Sequence, residues 1–547
     1  MTCENCFKIE MQLAGTAGAW TDVSEDVMRA DNISVSYGIK EQSPLARTAS
    51  TGSMYFTLDN SEINSAELVG YYSPGHVNCR SGFKVGITVR LSIEYDGKTH
   101  PKFYGRIPEK GIKIATGTTG LRKVYVEVRD FMEQCSITDI ETPDFVENKT
   151  SAEIQALVIA NQDIKPLATE YNTCEETFAT GFDTVKSTTK SITEMNKANL
   201  AELGYSYVKH DLNNYEIFTV DGRMTRTNTP ATSIVTMPTD STGYILQENG
   251  FKIKLESGLG FIKLNAGTSI SFENISLPGE VINGNNLYNY IQGIAYPRQV
   301  GTVAEILFKT NTAFPINAGE TVPIKGTYTD PLNQTNSISA KAMLPPGTAD
   351  YWMNANRDKT GADLTANFNI GTPLFYANNV IYNVTNTGTA NAYAYVQAQG
   401  TAVRVYDPVI SFVSDATSIQ THGKHTLNLD MKLQDDPTIS TAFITTMLSQ
   451  FKEPTTRAEV LPYYANRSQE LLAAFLYLDI GSRFTAVESV SGISGDYFIN
   501  GVDFTILPGD IINFSWHVKS SSYDTFAFWY LGVAGMSEIG VTTFAGF

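Results

Sequence analysis

Between about residues 7 and 145 the chain alternates apolar and polar positions in short runs: FKIEMQL, NISVSYGI, SMYFTLD, GITVRLSIEY, KFYGRI and KVYVEVRDF. In VYVEV, Val124, Val126 and Val128 fall on one face and Tyr125 and Glu127 on the other, the period of two of a half-buried antiparallel sheet. Asp96-Gly97, between RLSIE and PKFYGRI, supplies the positive φ that a tight hairpin requires.

After Pro143 the period lengthens. Thr150-x-x-Glu153 is a capping box ahead of IQALVIA, where Ile154, Leu157 and Val158 share a helical face. Ser191-x-x-Glu194 repeats the device before MNKANLAELG, with Gly204 as the stop, and YSYVKHDLNNYEIFTVDG then reads as two strands joined by a polar turn. From about 226 to 405 helical signals give way to Thr, Asn, Gly and short aliphatic runs, as in one or two β-sandwich layers. Within that block, NVTNTGTANAYAYVQAQG reads as a hairpin with an Asn-Thr-Gly turn followed by alternating Tyr393 and Tyr395. A helix follows Asp436-Pro437, carrying Phe443, Met447 and Phe451 at four-residue spacing with Ile444 and Leu448 beside them, and ends before Pro454. Strands return in LLAAFLYLDIGSRFTAV, DYFINGVDFTI and IINFSWHVK.

The expected fold is therefore mainly β with smaller α+β modules: two similar β-barrel domains, α+β domains and an inserted β-sandwich. The corresponding segments are 1–145 (N-terminal barrel), 146–225 (α+β), 226–405 (sandwich), 406–455 (a second α+β segment) and 456–547 (C-terminal barrel with an apolar tail). The two outer segments rhyme. Gly86-Ile-Thr-Val leads to Phe103-Tyr104-Gly105-Arg106-Ile107, and Gly481-Ser-Arg-Phe leads to Phe498-Ile499-Asn500-Gly501-Val502. Each places a glycine in an aromatic-rich strand, where a neighbouring backbone approaches closely or a strand bulges.

A length of 547 residues implies about three or four domains at roughly 150 residues each. The formal net charge of −17 disfavours adhesion to phosphate backbones. Five cysteines, an odd number in a long chain, point away from a secreted disulfide framework and towards a reducing compartment. The start MTCENCFKIEMQLAG has neither a basic region nor an apolar core of a signal peptide, and no run of 18 apolar residues occurs, so a soluble chain without an export signal is expected.

Several segments, taken in order, resemble the tail hub or tail-tip baseplate protein of long-tailed bacteriophages, related to the myophage baseplate hub. They are WTDVSEDVMRADNISVSYG, ARTASTGSMYFTLDNSE, GYYSPG, FKVGITVRLSI, FYGRI and VYVEVRDFMEQ in the first barrel, and SAEIQALVIANQ with LAELGYSYVKHDLNNYEIFTVDGR in the second domain. NAGETVPIKGTYTDP and NVTNTGTANAYAYVQAQGTAVRV are similar to the β insertion of siphophage versions, and LDIGSRFTAV, YFINGVDFTILPG and FWYLGVAGMSEIGVTTFAG to the second barrel and C-terminal end. The resemblance implies a homotrimer whose two barrels per chain form a pseudo-sixfold ring at the distal end of the tail tube. Its implied partners are distal tail or tail-tube rings, the tape measure protein, tail fibre or tip proteins, and the host cell surface. Phage DNA would pass through without specific binding. The implied location is the tail tip of the virion, assembled in host cytoplasm. Segment 456–547, with 4 basic and 9 acidic residues, suits a wall that repels passing phosphates. The excursion after Asp59-Asn60, ending at Tyr72-Ser73-Pro74-Gly75, is expected to contact a neighbour in such a ring.

Candidate chemistry is sparse. Cys3-x-x-Cys6 is the one metal-like spacing, but structural zinc takes four ligands and no second pair follows. Cys79 or Cys135 would have to complete it. His422-Gly-Lys-His425 lacks the helical frame of a hydrolytic zinc site and reads as a surface turn. Glu175-Glu176 and Asp435-Asp436 are adjacent carboxylates, whereas a glycosidase pair converges from separate elements; Asp435 and Asp436 read as helix caps. No G-x-S-x-G, P-loop or dinucleotide motif occurs. The expectation is a non-enzyme without cofactor or catalytic residues. Phe526, Phe528, Trp529 and Tyr530 make a terminal apolar cluster that requires burial on its own fold or on a partner. Two alternatives remain: an adhesin that recognises host-surface glycan through 226–405, and a tail-associated cell-wall hydrolase.

Overall fold

The structure is a computed structural model, and it describes residues 7–15, 18–115, 122–140, 145–171, 177–183, 189–221, 244–246, 252–254, 269–271, 280–283, 286–454, 456–467, 469–488 and 493–520. Cys3, Cys6, Glu175, Glu176 and the cluster at Phe526, Phe528, Trp529 and Tyr530 lie outside the described residues.

The fold is mainly β with smaller α+β modules. The N-terminal strands used below are β1 (Phe7–Met11), β2 (Ile33–Gly38), β3 (Ser50–Asp59), β4 (Thr88–Tyr95), β5 (Lys98–Arg106), β6 (Ile112–Ile114) and β7 (Lys123–Arg129). They follow the order β2-β3-β7-β5-β4-β1, with β6 also on β7. Val23 N donates to Ile9 O (2.9 Å) and Met28 N to Thr57 O (2.8 Å), so the segment between β1 and β2 bridges β1 and β3. The period-two reading holds: Val124, Val126 and Val128 are buried while Tyr125 is exposed. Asp96 and Gly97 both adopt positive φ between β4 and β5.

The next unit packs α1 (Ser151–Ala160) and α2 (Ser191–Glu202) on the antiparallel pair β8 (Tyr205–Lys209) and β9 (Ile217–Asp221). Thr150 forms the capping box with Glu153. Ser191 does not cap α2: Lys190 holds the cap position, and the fully buried Ser191 hydroxyl accepts from Gln162 Nε2 (2.6 Å) and donates to Thr138 O (3.2 Å). Tertiary bonding has taken the side chain that the local pattern assigned to the cap. The helix ends at Leu203, which itself adopts the left-handed conformation one residue before Gly204.

Farther on come β10 (Ser269–Ser271), β11 (Glu280–Asn283) and β12 (Tyr290–Ala295). The strands of 298–405 form a five-stranded and a four-stranded sheet, with a small two-stranded sheet beside them, around their own core, which includes Leu307, Ile316, Met353, Val380, Tyr382 and Val384. Here β13 (Asn379–Asn386) and β14 (Ala392–Val405), expected as a hairpin, belong to different sheets. β13 pairs with Thr321–Thr327 and β14 with Arg298–Lys309, so the turn is a corner between layers. Buried Asn386 fixes it, donating to Ala390 O (2.8 Å) and Ile316 O (3.4 Å) and accepting from Gly388 N (3.0 Å).

β12 pairs with β15 (Val409–Ser414) and β16 (Thr426–Met431), and α3 (Pro437–Phe451) covers the resulting sheet with Ile444, Met447 and Phe451. Asp436 caps α3 through Thr438 N (2.7 Å). The C-terminal unit comprises β17 (Thr456–Tyr464), α4 (Gln469–Tyr477), β18 (Arg483–Glu488), β19 (Ile493–Leu507) and β20 (Ile511–Ser520), in the order β17-β20-β19-β18. β11 lies antiparallel on β17, and β10 parallel on β18.

Candidate functional site

The feature that stands out is the junction of the two outer units. β2 reads ISVSYG, and Ile33, Val35 and Tyr37 are buried in a core shared by both outer units. One edge of β2 pairs with β3 and the other with β19, from Ile33↔Ile506 to Gly38↔Gly501. One 14-stranded sheet thus runs through both units. Gly38 has φ +94, and a Cβ there would lie 2.6 Å from Asn500 O and 2.8 Å from Gly501 Cα. Only a residue without a side chain permits this approach.

Charged side chains clamp the seam. Lys40 Nζ lies 2.9 Å from Asp503 Oδ1, and His517 Nε2 lies 2.6 Å from Asp503 Oδ2. Burial opposes ionisation of Asp503, but the bonds from His517 and Lys40 outweigh it and hold the carboxyl well below its usual range. Arg29 reaches both oxygens of Asp510 at 3.3 Å.

Beneath the seam, buried Asp479 joins three units. It accepts from Tyr37 OH (2.9 Å) in the N-terminal barrel, from His210 N (2.8 Å) beyond β8, and from Ile480 N (2.7 Å) in its own unit. Burial, reinforced by this carboxylate, pushes the Tyr37 hydroxyl pKa up. Lys102 on β5 donates to Phe475 O (2.5 Å) and Leu476 O (3.2 Å) at the C-terminal end of α4, where a cation complements unpaired carbonyls. Burial lowers the Lys102 pKa to about 8, with Asp479 opposing. His100, packed edge-on to Tyr477 at 5.0 Å, is pushed down to about 4 by burial and so stays neutral.

The excursion after β3 is a built structure. Asn60 accepts from Tyr72 N (2.7 Å) and donates to Ser73 Oγ (2.7 Å). Tyr72, fully buried, bonds Asp26, whose carboxylate also receives Ser65 N (2.6 Å) and Ser65 Oγ (2.8 Å). From this frame Ile63 and Val77 project into solvent, 86% and 93% exposed.

The structure does not assemble the histidines into a site. His425 Nε2 contacts the His422 carbonyl (3.1 Å), and His422 lies 3.5 Å from Glu453. Among the described residues no group of three His, Cys, Asp or Glu side chains is placed to hold a metal ion. Cys79 and Cys135 are free thiols whose pKa values burial raises. Neither Asp479 nor Lys102 was singled out by sequence reasoning, because their partners lie hundreds of residues away. The faint signal was a lysine inside an aromatic-rich strand.

No family model matches the chain, and no curated protein matches it. Among solved structures, the chain is similar to a 43 kDa tail protein of prophage MuSo2 from Shewanella oneidensis, with 8% identity, 95% of this chain and 99% of that chain covered, and a TM-score of 0.45. It is also similar to a tail protein from Neisseria meningitidis MC58, with 8% identity, coverage of 95% and 98%, and a TM-score of 0.44. A third is prophage tail protein gp18 from Listeria monocytogenes EGD-e, with 7% identity, 94% of each chain covered and a TM-score of 0.38.

Proposed function

We propose that this chain is a structural protein of a long-tailed phage tail tip, a homotrimeric hub that adapts sixfold tail rings to a threefold tip. The observation that carries the reading is the seam between β2 and β19, where two similar β units lie edge to edge in one sheet. A chain built this way occupies two neighbouring places in a ring, so three copies fill six. The ordered motifs of both barrels support the same reading.

In this reading the barrels surround the DNA exit path, and the acidic balance of 456–547 limits sticking of phosphates. Exposed Ile63 and Val77 are apolar sites for contact with the adjoining tube ring. The test is electron microscopy of the purified chain mixed with tail-tube rings. Threefold caps with six lobes on tube ends are expected; binding along tube sides, or none, contradicts the reading.

One observation favours a second role for the 298–405 sandwich. It has its own core and is inserted between Ala295 and Val409, which are paired neighbours. Such a module is suited to carry host-glycan or fibre contacts. Glycan-array binding that is lost when the sandwich is removed tests this role.

A further inference from the structure

The two outer units share a strand plan in detail. Gly86 and Gly481 have φ of +83 and +86. Gly86 N donates to Ile107 O (2.8 Å) and Ile107 N to Ile87 O (3.1 Å); Gly481 N donates to Ile499 O (2.8 Å) and Ile499 N to Ser482 O (2.9 Å). From this shared start, β4 corresponds to β18, β5 and β6 together to β19, and β7 to β20. Ile112↔Val126 and Phe56↔Val126 then match Phe504↔Phe514 and Tyr463↔Phe514, so β3 corresponds to β17.

On that scale β11 is the counterpart of β2. Each lies antiparallel on its unit's equivalent strand, and each pairing shifts register: between Ser36 and Gly38 in β2, and between Glu280 and Val281 in β11. The preceding segments agree in direction only: Thr21–Asp22 runs parallel to β4 but is separated from it by β1, whereas β10 pairs directly with β18 in parallel.

One relation lacks its counterpart. The second edge of β2 is taken by β19, but among the described residues no strand takes the second edge of β11. Likewise the edge of β19 that receives β2 is matched by the edge of β6, which no described strand covers. Lys113 and Ile114 on β6 are exposed. Among the described residues the repeated plan therefore leaves two open edges of complementary type, one on β11 at an end of the sheet and one on β6 where it branches from β7.

We infer that the partner of this surface is a second copy of the chain, with β11 of one copy lying antiparallel beside β6 of the next, as β2 lies beside β19 within a chain. This rests on the ring reading above and adds to it the strands that join the copies. A head-to-tail contact of this kind generates a closed ring or an open filament according to its rotation. Three such contacts alternating with three internal seams make six.

The test places a benzophenone photo-cross-linking residue at Lys113 of the full chain, with Lys325 on the sandwich as control position. Irradiation should give covalent dimer and trimer bands for the residue-113 variant, with the cross-linked peptide containing Glu280–Asn283, and none for the control. Should native mass show a trimer whose cross-links map to other segments, this junction is wrong while the ring reading stands. A chain that stays monomeric at every concentration, alone and with tube rings, overturns both.

Discussion

Asp130 shows how one residue couples the N-terminal barrel to the unit beneath it. Its Oδ1 accepts from Gly52 N (2.9 Å) and Met132 N (3.0 Å), and its charge disfavours ionisation of nearby Glu216. Burial raises the Asp130 pKa to about 7, and burial together with Asp130 raises Glu216 to about 8. Carboxyls in the unfolded chain titrate near pH ~4, so above that pH the unfolded state gains from ionisation while the folded state does not. The contribution of this pair to stability is thus fully present below about pH 4 and is lost as pH rises to about 8. Asp130→Asn keeps both accepted hydrogen bonds on one oxygen and removes the titration. Its melting temperature should match the unmodified protein below about pH 4 and exceed it by a growing margin as pH rises to about 7 in scanning calorimetry. Gly105 is a second case, since a Cβ there would lie 2.1 Å from Arg129 O, which is backbone and cannot step aside. Gly105→Ala should cost about 1–3 kcal/mol in denaturant titration. The close approach expected of this glycine was legible in the sequence, whereas the carboxylate pair was not, because Asp130 and Glu216 come from units that only tertiary packing brings together.

At the scale of elements, periodicity identified strands and helices wherever burial is one-sided, as in β7 and α3. It failed where two structures share one local pattern. Alternation with an Asn-Thr-Gly turn describes a hairpin and a corner between sheets equally well, and the choice between them at β13 and β14 is made by strands some 60 to 100 residues away. A buried ion pair helps to dock the sandwich, Arg298 Nε to Asp183 Oδ2 at 2.8 Å with both side chains almost fully enclosed, beside a bond from Ser339 Oγ to the Asp183 carbonyl. Arg298→Ala leaves that carboxylate unpaired and should cost about 3–5 kcal/mol. Adding Asp183→Ala should recover part of the loss, and a double-mutant cycle by chemical denaturation measures it.

The whole molecule is organised around two units of similar strand plan joined at a seam. The sequence rhyme at Gly86 and Gly481 pointed to it, but the two motif glycines do different work. Gly105 admits the backbone of β7, while Gly501 sits at a bulge of β19 and faces Gly38 across the seam. Because the two units share one core, Gly38→Val should lower the melting temperature of the whole molecule in calorimetry and abolish ring formation in native mass spectrometry. The most direct measurement is a cryo-electron-microscopy map of the purified full chain at assembly concentration. The account predicts a threefold ring of six barrel lobes with an unbroken sheet passing through all six. A map showing one chain alone, or copies joined through their sandwiches with the barrels apart, would contradict it.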